Sequence, residues 1–133
     1  MTVQLAVSTR NSRLDAIETE IGTSPILKIR TGAAPADCAA ADSGTVLVTM
    51  TLPSDWMAAA AAGAKAKSGT WQDPTADAAG TAAHFRIYDS GGVVAHLQGT
   101  VGQGSGDLSL DNVVIAAGQT VTITAFTLTD GNA

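Results

Sequence analysis

One helical signal stands in front of a chain that otherwise alternates as β-structure, and that contrast constrains the fold more than any other feature. Over residues 11–22, Leu14, Ile17 and Ile21 recur at the i, i+3, i+7 spacing of one helix face, while Arg13, Asp15, Glu18 and Glu20 occupy the other sides. Asn11 or Ser12 offers a side-chain oxygen to cap the first turn, and Gly22 sits where a left-handed residue ends a helix. A lone amphipathic helix must bury its stripe. It either closes the core of its own domain or docks on a neighbouring chain.

Ahead of that helix, Val3, Leu5 and Val7 alternate with Gln4 and Ala6, the pattern of a short strand or extended arm. Behind it, residues 26–30 read as a strand, 33–43 as a loop rich in alanine, and 45–52 as a strand with Val46, Val48 and Met50 on one face. Residues 53–77 are interrupted by Gly63, Gly69 and Pro74, and their alanine run is too short to stand as an isolated helix. They read as a loop with one turn, followed by a short strand around Trp71. From Ala82 the alternation is steady. Phe85 and Ile87 oppose His84, Arg86 and Tyr88, Asp89-Ser90-Gly91-Gly92 signals a turn, and residues 93–101 return as the second arm of a hairpin. A flexible hairpin turn at 102–106 leads to a short strand at 107–111 and a closing strand at 120–129. In that last strand Val121, Ile123 and Ala125 keep one parity and Phe126 and Leu128 the other, which predicts a bulge near Ala125-Phe126.

About eight short strands at this spacing predict a mainly β protein, an antiparallel β-sandwich or jelly roll with one short N-terminal helix. The expected organisation is an arm and amphipathic helix over residues 1–22, packed on or beside a single β-sandwich domain over 23–133. A chain of 133 residues is long enough for one core that buries roughly two-thirds of the unfolded surface. Cys38 is the only cysteine, so no intrachain disulfide is available. Charged residues make up 14% and aromatic residues 4%, which suits a domain of small side chains better than a disordered segment. The net charge of −5 argues against nucleic-acid binding, which needs basic clusters to neutralise phosphates, and against an anionic membrane surface. The first residues carry no basic region followed by an apolar stretch, and no apolar run approaches membrane-spanning length. Synthesis and folding in a cytosol are expected.

Candidate chemistry is sparse. His84 and His96 lie on the two arms of the expected hairpin and could face each other, but a metal site wants a third ligand, so a polar cross-strand pair is the better reading. Cys38 has no neighbouring histidine or helix N-terminus to activate a thiolate. The scattered aspartates, including Asp107 and Asp111, lack the dense oxygen run of an EF-hand loop. The glycines at 102, 104 and 106 are followed by neither the Lys-Ser/Thr pair nor the helix of a phosphate loop. Trp56 and Trp71 could stack on sugar rings, yet in a chain this poor in aromatics they read first as packing anchors. No catalytic residue, cofactor or metal is assigned.

Four segments taken together carry a resemblance: RNSRLDAIETEIG at 10–22, LKIRTGAAP at 27–35, AAHFRIYDSG at 82–91 and IAAGQTVTITAFTLT at 115–129. They resemble a family of small structural proteins encoded among the virion genes of tailed bacteriophages and related prophages. The resemblance implies a non-enzymatic protein of the virion, made in the bacterial host cytoplasm. The role it favours is a capsid decoration (cement) protein on the outer surface of the head, a homo-oligomer, commonly a trimer, that bridges subunits of the major capsid protein. A tail or neck component, or a carbohydrate- or host-surface-binding β-module, is the alternative. The contacts to test first are Val3, Leu5 and Val7 of the arm, Leu14, Ile17 and Ile21 of the helix, and Trp56. The competing place for all seven is the chain's own core.

Overall fold

The computed structural model describes residues 3–131. One helix, α1 (Val7–Ile21), precedes eleven strands: β1 (Ile26–Arg30), β2 (Val46–Thr51), β3 (Ala64–Ala66), β4 (Trp71–Asp73), β5 (Gly80–Thr81), β6 (His84–Tyr88), β7 (Ala95–Gln103), β8 (Leu108–Leu110), β9 (Val114–Ile115), β10 (Val121–Ile123) and β11 (Thr127–Thr129). The protein is mainly β, with one helix and eleven strands among the described residues where about eight strands were expected. Five of them form one sheet in the order β2-β1-β6-β7-β8, and the other six pair as β10-β4, β11-β3 and β5-β9.

The helix starts four residues before the sequence pattern placed it. Ala6, in extended backbone, precedes its first turn without a side-chain cap, so neither Asn11 nor Ser12 caps it. Asn11 instead accepts the backbone N–H of Gly63 at 2.9 Å. Of the short strand or extended arm expected over 3–7, the strand does not form: residues 3–6 have no regular structure and Val7 already belongs to the helix. Alternation alone cannot hold a strand that no neighbour pairs, whereas residues 7–13 extend a helix already docked through Leu14. At the other end Gly22 ends the helix and donates its N–H to the Glu18 carbonyl, but with φ 90° and ψ −167° it takes an extended positive-φ conformation open to glycine and not the left-handed helical one expected.

Strands β1, β2 and β6 fall where the alternation marks them, and β6 pairs β7 as an antiparallel hairpin. The glycine-rich turn behaves differently. Instead of folding β8 back as a hairpin, residues 104–107 carry the chain round so that β8 runs parallel to β7, Val101 opposite Leu108. Asp107 explains the geometry: its carboxylate accepts the Thr100 N–H at 2.9 Å and the Thr100 hydroxyl at 3.0 Å. A Cβ on Gly99 would stand 2.8 Å from that carboxylate, so the close approach requires glycine.

The closing segment also divides. β10 pairs β4 and β11 pairs β3, and Phe126 in the gap between them turns into the core. The parity change at Ala125-Phe126 thus marks a complete break of the strand. Phe126 meets Phe85 edge-on at 5.7 Å and Trp71 at 5.5 Å, and Trp71 meets Trp56 at 6.0 Å. Around this aromatic chain lie Leu27, Ile29, Leu47, Met50, Ile87, Val121 and Ile123. The core therefore takes side chains from the five-stranded sheet and from the short ladders alike. In β6 all five residues are buried, so the sheet is covered on its second face as well.

Candidate functional site

The seven side chains singled out for contact with a partner divide by depth. Trp56 is wholly buried and donates its indole N–H to the Gly22 carbonyl at 2.9 Å, tying the end of α1 to the core. Leu14 and Ile21 are buried beneath the helix, so these three side chains contribute to the chain's own packing. Ile17 is half-buried and lines a shallow depression with Arg13, Ala16, Glu20, Ile21 and His96. Leu5 is half-buried, Val7 is exposed and Val3 is 74% exposed. Among the described residues, Val93 and Val94, in the turn between β6 and β7, and Val114 of β9 are the other large apolar side chains left in water.

The helix is held by charge as much as by its apolar stripe. Lys65 of β3, 1% exposed, places its ammonium 2.7 Å from Asp15 and 2.7 Å from Glu18, and donates to the Ala58 carbonyl. Asp15 also accepts the Ala60 N–H at 3.0 Å. Burial pushes the Lys65 pKa down, but the hydrogen bonds to Asp15 and Glu18 outweigh it and hold the group above its ordinary value. The same Lys65 hydrogen bond, with the Ala60 N–H, keeps the Asp15 carboxyl below its ordinary value. Arg10 donates to the Asp130 carbonyl at 3.1 Å, and Arg13 pairs with the Asp130 carboxylate at 3.3 Å. α1 is thus clamped to β3 and to the end of β11.

A second polar cluster fills the other face of the five-stranded sheet. Residues 31–45, joining β1 to β2, fold back over that face. Arg30, His84, Arg86, Tyr88 and Gln98, at alternate positions of β1, β6 and β7, reach up into the strap. Asp42 accepts from Arg86 Nη1 at 2.7 Å, from the Tyr88 hydroxyl at 2.6 Å and from Arg30 Nη2 at 3.1 Å. Strap carbonyls take the rest: Asp37 from Arg86 Nη2 and Pro35 from Gln98, both at 2.8 Å. His84 Nδ1 lies 2.7 Å from the Gly32 carbonyl, which can only accept, so the imidazole proton sits on Nδ1. Partial burial pushes the Asp42 pKa up, but the Tyr88 and Arg86 hydrogen bonds and the two guanidinium charges overcome it and hold it low. Burial and the Asp42 hydrogen bond together push Tyr88 up.

The remaining candidates separate. His84 pairs with Thr100, not with His96, and His96 lies beside α1, so the two histidines do not face each other. Cys38 is half-buried in the strap. Trp56 and Trp71 are both buried and present no ring face to a sugar. Among the described residues no group of three or more His, Cys, Asp or Glu side chains could hold a metal ion, and no helix is long and apolar enough to cross a membrane. Sequence reasoning passed over Lys65, Asp42, Arg30 and Arg86. The available signal was charge at alternate positions inside β1 and β6, where an uncovered sheet face and one covered by a loop look alike. No family model, curated protein or solved structure matches the chain.

Proposed function

We propose that this chain is a non-enzymatic structural protein of a tailed-bacteriophage virion. Its role in this reading is that of a decoration (cement) protein on the outer surface of the head, bridging major capsid protein subunits as a homo-oligomer, with a trimer favoured. The resemblance of residues 10–22, 27–35, 82–91 and 115–129 supplies the family. The observation that carries an assembly role is the distribution of exposed apolar side chains. Val3 and Val7 at the entry to α1, Val93 and Val94 at the β6–β7 turn, and Val114 are left in water, while the buried cations Arg30, Lys65 and Arg86 are all paired with carboxylates of the same chain. In the same reading the architecture is a sandwich, with the five-stranded sheet as one layer and the β4–β10 and β3–β11 ladders as the other.

The mechanism is linkage. A protein that binds the assembled lattice and not its dissociated subunits stabilises the lattice by mass action, and several contacts per oligomer multiply the effect. The test is co-sedimentation of the purified protein with undecorated heads, beside a search for the protein in purified virions. Binding to heads, weakened by Val3→Asp with Val7→Asp, is the expected result. Absence from virions together with no binding to heads overturns the proposal, and recovery with tails alone moves the protein to the tail or neck.

A further inference from the structure

We infer that residues 31–45 form a latch pinned by Asp42, which opens locally, with the core intact, when the Asp42 charge is lost. The strap has no apolar anchor of its own. Between Thr31 and Thr45 it carries only Gly, Ala, Pro, Asp, Cys and Ser. Its ends are closed by the Thr31 N–H to the Thr45 carbonyl at 3.1 Å and the Thr45 N–H to Thr31 Oγ1 at 2.9 Å. Between those ends, polar contacts hold it to the sheet, and three of them converge on one carboxylate.

The two sides of this contact differ in depth, and the difference makes a latch. The Asp42 side chain is 41% exposed, so a proton reaches it from solvent without unfolding. The Arg86 and Arg30 side chains it neutralises are 2% and 8% exposed. The carboxylate meets Arg30 from β1 and Arg86 and Tyr88 from β6, and the same sheet face carries Lys28 of β1 and His84 of β6. β7 contributes the neutral Gln98, and the strap itself carries Asp37 and Cys38. The Asp37 carboxylate is turned away to the N–H groups of Ala39 and Ala40 in its own turn. Lys28 sits over the Tyr88 ring, 5.4 Å from its centre. Discharging Asp42 therefore leaves Arg86 with the Gln98 amide oxygen and the Asp37 carbonyl, and Arg30 with only the Tyr88 hydroxyl, and neither buried guanidinium has a counter-charge, a state relieved by admitting water. Two polar atoms in the layer, Arg30 Nε and His84 Nε2, have no partner while the strap is closed, so opening gives them one. Lifting residues 31–45 removes no residue of the apolar core.

Native reporters separate local from global change. Cys38, the only cysteine, lies in the strap; Tyr88, the only tyrosine, lies beneath it; and both tryptophans lie in the core. At neutral pH, Asp42→Asn is expected to speed reaction of Cys38 with dithiodipyridine by about tenfold or more, the scale of a local opening. It is also expected to bring Tyr88 ionisation to lower pH, with native tryptophan emission retained in the absence of urea. Asp37→Asn is expected to leave the Tyr88 titration unchanged. In wild type, the same rise in thiol rate relative to a free-thiol peptide is expected as pH falls below 3.8, the ordinary carboxyl value. An unchanged thiol rate in Asp42→Asn overturns the inference. So does equal behaviour of Asp37→Asn, or loss of native tryptophan emission together with the thiol change.

Discussion

Lys65 is a charge the fold buries under a helix, and its removal separates volume from electrostatics. Its ammonium is enclosed, but the Asp15 and Glu18 carboxylates that meet it reach solvent. Lys65→Ala loses the ion pairs and opens a cavity, which costs about 3 kcal/mol, at the lower end for a broken buried pair because the abandoned carboxylates rehydrate. Lys65→Met keeps the volume and is expected to cost roughly 1 kcal/mol, since an apolar replacement avoids desolvating the ammonium. Urea denaturation of both variants measures the difference, and equal losses would mean that the charge, not the volume, holds α1 down. The same groups set the pH profile. Asp15 and Asp42 are held below 3.8, so their contribution is present above that value and disappears as pH falls through their lower folded pKa values. Lys65 is held above 10.5 and Tyr88 above 10.0, so their contributions are complete below those values and are lost as pH rises through the raised ones. Urea midpoints across pH are expected to stay level between these limits and to fall on both sides. Lys65→Met should make the alkaline fall smaller.

At the scale of elements, β10 and β11 are the place where a weak sequence signal had the largest structural consequence. Phe126 joins the aromatic chain from the break between them, touching both Phe85 and Trp71. Phe126→Ala is expected to cost about 3–4 kcal/mol in urea unfolding, the range for an aromatic removed from a packed core. A loss under about 1 kcal/mol would show that the two ladders pack without it. The change of parity at 125–126 was legible because two apolar registers cannot share one buried face. β1, β2 and the β6–β7 hairpin were legible for the same reason. β3, β5 and β9 were not, since Ala64–Ala66, Gly80–Thr81 and Val114–Ile115 are too short to alternate and exist only because a partner pairs them. Nor could alternation give the parallel return of β8, which depends on the Asp107–Thr100 contact, or the polar layer under residues 31–45. There the alternation of Arg30, His84, Arg86 and Tyr88 reads as a solvent face, and Asp42 is one aspartate in an alanine-rich loop. The start of α1 was missed because the alternation of Val3, Leu5 and Val7 fits a strand or an arm, whereas the contacts that anchor residues 10–14, made by Arg10, Asn11 and Leu14, are with segments distant in sequence.

Across the whole molecule, the first half of α1 and the end of the described chain meet at one corner, where Arg10 and Arg13 reach Asp130 just beyond β11. Val7 opens the same helix, and both it and Val3, four residues ahead, are exposed. Nothing in the core depends on them, so a change there separates assembly from folding. Val7 opens α1, where an acidic residue is favoured by the helix dipole, so Val3→Asp with Val7→Asp should fold as well as wild type, within about 0.5 kcal/mol in dilute solution. If Val3 and Val7 belong to a self-association surface, the native oligomer gains stability that grows as the logarithm of protein concentration, about 2.7 kcal/mol at a hundredfold excess over the dissociation constant. The thermal midpoint of wild type is then expected to rise as concentration is raised from micromolar to millimolar, and sedimentation velocity should show a larger species over the same range. In the double variant the midpoint should be independent of concentration and the sedimentation coefficient should stay at the monomer value. A wild-type midpoint that does not move with concentration would leave Val3 and Val7 available for a different partner and remove the homo-oligomer from the proposed function.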